Sequence, residues 1–367
     1  MTPPSYPRRG PAASEALRRL GPEQTRTDPP GEERVQQNPQ AEQRSMRFDG
    51  YKTRYWFYDI DTQRKPLLVM VHGFRGDHHG LQLIADRLRD RYHVVVPDLP
   101  GLGRSEPFPQ DPHDVPHYVG FLRRFITELT DGAVHPQGER GVLLLGHSFG
   151  SVIASHLAAE HPAMVEQLLL LNPICEPALS AQDAAATKIA DAYYTLAMRL
   201  PKAMGERLLR SHAVSDLMSQ EMTVSQDPQL RSYVENQHRA YFGSFADRRV
   251  VAEAYRASIS GTVAEVAPLL SMPVLLVVGA QDPLGSVEAQ ERMATWIRRR
   301  RLVILDDVGH LIHYEKPLET AELIHEFVQG PDPEPIDVHD ELPPIDQARP
   351  NTSQFTQLLP IVRRGRR

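Results

Sequence analysis

Gly141-Val-Leu-Leu-Leu-Gly146-His147-Ser148-Phe149-Gly150-Ser151-Val-Ile-Ala-Ser155 is the stretch from which the fold is read. Val142 to Leu145 is an apolar run of strand length, and it stops at Gly146. Small residues with helical character follow from Gly150. A serine between such a strand and such a helix occupies a sharp turn that pushes its side chain out of the backbone into a cleft. Glycines two before and two after it permit the bend, because a Cβ at either position collides with neighbouring backbone. The turn also places Ser148 at a helix N-terminus, where unpaired amides and the helix dipole favour developing negative charge.

The same alternation extends on both sides. Leu67 to Val71 reads as a fully buried strand ending in His72-Gly73-Phe74-Arg75-Gly76, and a helix follows with Leu81, Ile84 and Leu88 on one face. His93 to Pro97 is the next strand, ending in Asp98-Leu-Pro-Gly101-Leu-Gly103-Arg-Ser105. Val115, Tyr118, Leu122, Phe125 and Leu129 step by three and four and predict an amphipathic helix. Beyond Ser148, strands are predicted at Gln167 to Leu171, Val274 to Gly279 and Leu302 to Leu305, with helices near 286–300 and 317–329. Strands apolar throughout, alternating with helices, predict an α/β protein with a mainly parallel sheet covered on both faces. Ligands bind such sheets beyond the carboxyl ends of the strands. Tyr51 to Tyr58 differs, being aromatic and β-branched with partial alternation, and predicts an antiparallel strand at the sheet edge.

Two kinds of segment break the rhythm. Residues 176–261 carry no strand-like run, only helical stretches rich in Tyr, Met and Ala. They are expected to form a helical insertion over the sheet edge, most of its aromatics packing within it and a few walling the cleft. Residues 1–45 are rich in Pro, Gln, Arg and Glu and are expected to form a disordered arm. Residues 331–367 read as an acidic, proline-rich linker and a disordered end, Arg363-Arg-Gly-Arg-Arg367, a basic tail able at most to make peripheral contact with a membrane or an acidic partner. The ordered core is therefore expected at 46–175 and 262–330.

Composition narrows the function classes. The 367-residue chain is 41% apolar with a net charge of −6, which argues against a general nucleic-acid binder. Its single cysteine, Cys175, excludes an internal disulfide and a cysteine metal cluster, and reads as a buried packing thiol. No secretory signal is visible and no apolar run approaches the ~20 residues of a membrane helix, so a soluble, cytoplasmic protein is expected.

A serine hydroxyl needs a base to take its proton, and the base an orienting carboxylate. The strand Val274 to Gly279 leads into Ala280-Gln281-Asp282-Pro283, and Leu302 to Leu305 leads into Asp306-Asp307-Val308-Gly309-His310. The order nucleophile, acid, histidine thus falls on loops after three separate strands. Among 16 histidines, His310 is singled out by its place after a glycine just past a strand. With these motifs, and with His72-Gly73-Phe74 and Asp98 to Ser105, the chain resembles the α/β-hydrolase-fold superfamily, as an esterase- or lipase-like serine hydrolase with a helical lid, from about residue 46 to residue 330.

The resemblance implies Ser148 as nucleophile, Asp282 as acid and His310 as base, with an oxyanion hole made by the backbone amides of Phe74 and Phe149. Glu176, just past the preceding strand, is the rival acid, and Asp282 is preferred. Asp306 and Asp307 are expected to cap or line their loop. His313 is a competitor to His310 placed on the approach to the helix after Lys316-Pro317. His72, His147 and Asp98 are expected to be structural, and Ser151 stands where the family often has glycine. The implied reaction is cleavage of a carboxylic ester of a small molecule with an apolar acyl or aromatic group, with no metal or organic cofactor. Thioester, lactone or amide cleavage, carbon–carbon bond hydrolysis and pyruvate elimination are the alternatives on the same residues. A binding protein without catalysis is the alternative from another class.

Overall fold

The computed structural model describes residues 8–9, 41–58, 65–131, 141–177 and 184–336. The expected arm and tail otherwise lie outside the described residues. The sheet is built from β1 (Arg8–Arg9), β2 (Ala41–Phe48), β3 (Tyr51–Tyr58), β4 (Leu67–Val71), β5 (His93–Pro97), β6 (Val142–His147), β7 (Val165–Leu171), β8 (Val274–Gly279) and β9 (Arg300–Leu305). Their order is β1-β9-β8-β7-β6-β4-β5-β3-β2. All pairs from β5 through β4 to β1 are parallel, while β2 and β3 are antiparallel.

The strands are apolar throughout because both faces are covered. Val69, Val71, Val95, Leu144, Leu168 and Leu170 join one core with Tyr118, Leu122, Phe125 and Leu129 of helix Val115–Asp131 and with helix Phe149–Glu160. Their neighbours Leu68, Met70, Val94, Leu143, Leu145 and Leu169 join a second core with Leu81, Ile84 and Leu88 of helix His78–Leu88 and with Leu323, Ile324 and Phe327 of helix Pro317–Gln329. The period-two alternation of each strand thus divides one apolar run between two layers.

The N-terminal part differs from expectation. β3 is not the sheet edge, since it pairs with β5 on one side and β2 on the other. Asp49 and Gly50, with φ of 32° and 93°, make the tight two-residue turn that folds β2 back along β3. β2 also begins at Ala41, five residues before the expected onset of order. From Ala41 to Arg47 its side chains are exposed or half-exposed, as suits an edge strand, and this polarity hid it from a search for apolar runs.

Between β7 and β8 the described residues form five α-helices, Ala184–Arg199, Lys202–Leu209, His212–Met222, Pro228–Tyr241 and Arg248–Ser260, then a single 3-10 turn at Ala267–Leu269, and no sheet strand. Pro331 to Ile336 run back along the core, where the Ile336 amide donates to the Arg298 carbonyl (2.9 Å) and Arg299 pairs with Asp332 (2.8 Å). None of the described helices is long and apolar enough to cross a membrane.

Phe125 of helix Val115–Asp131 is fully buried and packs edge-on against Tyr55 of β3, with ring centroids 5.4 Å apart. Phe125→Ala is expected to destabilise the fold by about 3–5 kcal/mol in urea unfolding, and Ile189→Ala, at a position 72% exposed, by less than about 0.5 kcal/mol.

Candidate active site

Ser148 sits between β6 and helix Phe149–Glu160 with φ 53° and ψ −123°, a conformation a non-glycine residue adopts only where its surroundings enforce it. A Cβ on Gly146 would lie 2.4 Å from the Gly150 carbonyl oxygen, and one on Gly150 would lie 2.2 Å from the carbonyl oxygen of Val71. Both are closer than any real Cβ contact, so glycine at each position is a condition of the turn. The Ser148 amide donates to the Leu171 carbonyl (3.1 Å), and the Ser151 hydroxyl donates to the Ser148 carbonyl while accepting from the Ile174 amide (3.3 Å). Ser151 is therefore a clasp between the turn and the segment after β7.

Three loops meet over this turn. His310 Nε2 lies 2.8 Å from Ser148 Oγ, and His310 Nδ1 lies 2.9 Å and 3.1 Å from the two carboxylate oxygens of Asp282. Ser148, Asp282 and His310 are 9%, 9% and 3% exposed, so water competes little for these bonds. With the Asp282 carboxylate accepting from Nδ1–H, Nε2 is left to accept from the serine hydroxyl. Asp282 Oδ1 also accepts from the Leu284 amide (2.8 Å), which fixes the carboxylate in its turn. Glu176 is placed elsewhere, 3.8 Å from Arg292.

The other singled-out residues have structural partners. His72 Nε2 accepts from the Leu99 amide (2.9 Å), so its Nδ1–H donates to the Gly73 carbonyl (2.9 Å) and shapes the loop carrying Phe74. That loop lies against the turn at Ser148, since a Cβ on Gly73 would be 3.1 Å from Ser148 Cβ. The Phe149 amide belongs to the first turn of its helix, where no intrahelical acceptor exists. His147 Nε2–H donates to the His310 carbonyl (3.1 Å), and the His313 ring packs 4.2 Å from the His147 ring. The Asp306 carbonyl accepts from Lys316 Nζ (2.7 Å), and Asp307 turns the loop with φ 57°. Asp98 accepts from the His78 amide (2.9 Å) and the Arg104 amide (2.7 Å), joining two loops, and burial together with the Asp77 carboxylate pushes its carboxyl up. Burial and the Glu176 carboxylate push the Cys175 thiol up to about 12, as suits a packing thiol. Asp77, His78 and His79 bring one potential ligand atom each within 4.8 Å of one another, although His79 Nδ1 is engaged by Asp77 and His78 Nδ1 by Asp98, both at 3.0 Å.

Three residues near the site were not found by sequence reasoning. The buried Asn172 ends β7 and bonds the loops of Asp282 and His310. Glu315, 1% exposed, accepts from the Gly309 amide (2.9 Å) and from the Val224 and Ser225 amides (2.9 and 2.6 Å), joining the His310 loop to the helical insertion. Arg75, next to Phe74, donates to the carbonyls of Leu209 and Phe242 at the ends of two inserted helices and stacks 4.0 Å over the Phe242 ring. Only Asn172 left a trace in the sequence, an Asn-Pro pair at a strand end, which marks a turn.

These observations define a mainly parallel sheet with a strained strand–serine–helix turn at the carboxyl end of a central strand, and comparison with known proteins agrees on the fold. The model of the alpha/beta hydrolase family matches residues 68–323, and the chain belongs to that family. The AB hydrolase superfamily protein YfhM of Bacillus subtilis (strain 168) is 24% identical over 269 residues, covering 72% of this chain and 91% of its own. A bacterial membrane phospholipase A aligns with a TM-score of 0.62 and 26% identity, over 79% of this chain and 86% of its own. The enol-lactonase of Burkholderia xenovorans LB400 has the same fold, with a TM-score of 0.64 and 18% identity over 78% of this chain and all (100%) of its own.

Three histidines, His113 and His147 buried and His238 partly so, resist protonation in the folded chain. Burial lowers His147 to about 3, aided by His310, and His113 and His238 to about 4, aided by Arg249 and Arg75 respectively. In the unfolded chain each takes a proton near the ordinary value of 6.5, whereas the native state refuses it until about pH 3–4. Stability is therefore full above about pH 6.5 and falls below it by up to about 1.4 kcal/mol per pH unit for each histidine. Urea unfolding at about pH 7.5 and about pH 5 is expected to show this loss, and His147→Gln and His238→Gln to reduce its slope.

Proposed function

We propose that the chain is a serine hydrolase that cleaves a carboxylic ester of a small apolar or aromatic molecule through an acyl-serine intermediate. One observation carries the reading: the His310 ring spans the gap between Ser148 Oγ (2.8 Å) and the Asp282 carboxylate (2.9 Å). In this reading His310 Nε2 takes the Ser148 proton as Oγ attacks the ester carbonyl, and Asp282 stabilises the imidazolium that results. The carbonyl oxygen gains negative charge and accepts from the amides of Phe74 and Phe149, each worth about 3 kcal/mol in the transition state. His310 returns the proton to the departing alkoxide. It then deprotonates a water, which releases the acid and restores the serine hydroxyl.

The five inserted helices act as the lid of this site, with 176–261 as cover and with the core of 46–175 and 262–330 extended at its start to Ala41 by β2. Tyr194 and Tyr255 stack 4.1 Å apart, each about 6 Å from the Phe74 ring (6.1 and 6.0 Å), an aromatic surface beside the proposed oxyanion donor that suits an apolar acyl group. The likeness to a membrane phospholipase A at 26% identity supports an ester over a carbon–carbon bond. Small-molecule chemistry of this kind suits a cytoplasmic enzyme that needs no cofactor.

Turnover of p-nitrophenyl esters of graded acyl length tests the assignment. Ser148→Ala is expected to lower kcat by at least about 10³-fold, and Asp282→Asn by about 10⁴-fold, with the fold intact by circular dichroism. No turnover of any ester alongside cleavage of a dienoic diketone would assign the residues to carbon–carbon hydrolysis. No turnover together with no fluorophosphonate adduct would make the chain a binding protein.

A further inference from the structure

Asn172 follows the last residue of β7, is fully buried, and has φ 41°, a left-handed backbone that asparagine tolerates better than most residues. Its backbone amide donates to the Val277 carbonyl of β8 (2.9 Å). Its side-chain Oδ1 accepts from the Gly279 amide (2.7 Å), which fixes the orientation of the planar group, and Nδ2 then donates to the carbonyls of Gly309 (2.8 Å) and His310 (2.9 Å). One rigid amide therefore spans the ends of β7 and β8 and the loop after β9. Gly279 is three residues before Asp282, so Asn172 ties the start of the Asp282 loop to the Gly309 and His310 carbonyls, beyond the reach of the Ala280 and Gln281 amides, which bond the Leu305 and Val308 carbonyls nearer β9 (2.8 and 3.0 Å). The nucleophile turn is tied to the same point. The Ser148 amide donates to the carbonyl of Leu171, and His147 donates to the same His310 carbonyl that Asn172 holds.

We propose that Asn172 is the positioning residue for the base, holding the His310 ring at the point where it meets Ser148 and Asp282 together. The role rests on the assignment of His310 above. Asn172 acts through the main chain, and it touches neither the nucleophile nor the substrate. A hydrocarbon of similar shape would fill the space but would strand the Gly309 carbonyl and the Gly279 amide in a dry interior and leave the His310 carbonyl to His147 alone. An aspartate there would keep the shape and the bond from Gly279. Protonated, its hydroxyl donates to one of the two carbonyls. Ionised, it turns a negative charge on both and expels the loop. Burial raises the pKa of such a carboxyl into the range where the enzyme is assayed.

The test is the rate of fluorophosphonate labelling at Ser148, read by intact mass across pH, for the wild type, Asn172→Asp and Asn172→Gly. Each is first shown to melt cooperatively, and the low-field proton resonance of His310 Nδ1–H is recorded in parallel. The expected result is labelling at least about ten-fold slower in Asn172→Gly, with the low-field resonance weakened or lost. Asn172→Asp is expected to approach the wild type at the acid end of the range and to fall away as pH rises, an alkaline limb the wild type lacks. If Asn172→Gly does not fold, the limb of Asn172→Asp carries the test alone. Variants that label in parallel with the wild type at every pH, or that lose activity only in proportion to unfolded protein, overturn the positioning role. A wild type that does not label overturns the nucleophile assignment and the role of Asn172 with it.

Discussion

The constraint on which the structure depends is the approach of helix Phe149–Glu160 to the end of β4. Gly150 passes so close to the Val71 carbonyl oxygen that a Cβ there would lie 2.2 Å from it. That approach forces Ser148 into a backbone conformation that costs on the order of 1–3 kcal/mol, a strain the packing around it must offset. Tyr118, Val152, Ile153 and Leu157 are buried on and around this helix, so the hydrophobic layer that stabilises the fold also holds the serine outward. Relaxing the turn would mean withdrawing a core helix from the sheet. The presentation of the hydroxyl to His310 is thus a consequence of core packing and not of its local sequence alone.

The helical insertion is joined to the site from two sides. Arg75 reaches from the loop of Phe74 to the carbonyl ends of helices Lys202–Leu209 and Pro228–Tyr241, where the guanidinium meets the negative ends of two helix dipoles. Glu315 reaches from the other side, holding the Gly309 amide with one oxygen and the Val224 and Ser225 amides with the other. Both charges are buried against hydrogen-bonding partners, and breaking such contacts leaves a buried charge without compensation. Movement of the inserted helices is therefore coupled to the loops of Phe74 and His310, the two loops that the proposed chemistry requires to be in place.

Much of this was legible in the sequence because it follows from local constraints. Fully apolar strands such as β4, β6 and β8 announce a sheet covered on both faces. Gly146 and Gly150 announce a bend that only glycine permits. Ser148, Asp282 and His310 were singled out because each follows a separate strand, and parallel strands bring such loops to one edge. What the sequence did not disclose depends on partners remote in the chain. Asn172, Arg75 and Glu315 bond to backbone groups of distant segments, and a backbone group leaves no mark in residue identity. β2 was hidden for a related reason: an edge strand keeps polar side chains, so its apolar pattern is weak. Asp282 is preferred to Glu176 from the sequence, and the distances agree with that preference, His310 Nδ1 lying 2.9 Å from Asp282 while Glu176 lies beside Arg292.

The central claim is that the three loops converge to make Ser148 a nucleophile facing an anion-stabilising pair of amides. A crystal structure of the protein after reaction with a phosphonate ester tests this most directly. The account predicts phosphorus bonded to Ser148 Oγ, with its anionic oxygen about 2.7–3.1 Å from the Phe74 and Phe149 amide nitrogens. Phosphorus on another side chain, or an anionic oxygen turned away from both amides, would contradict it.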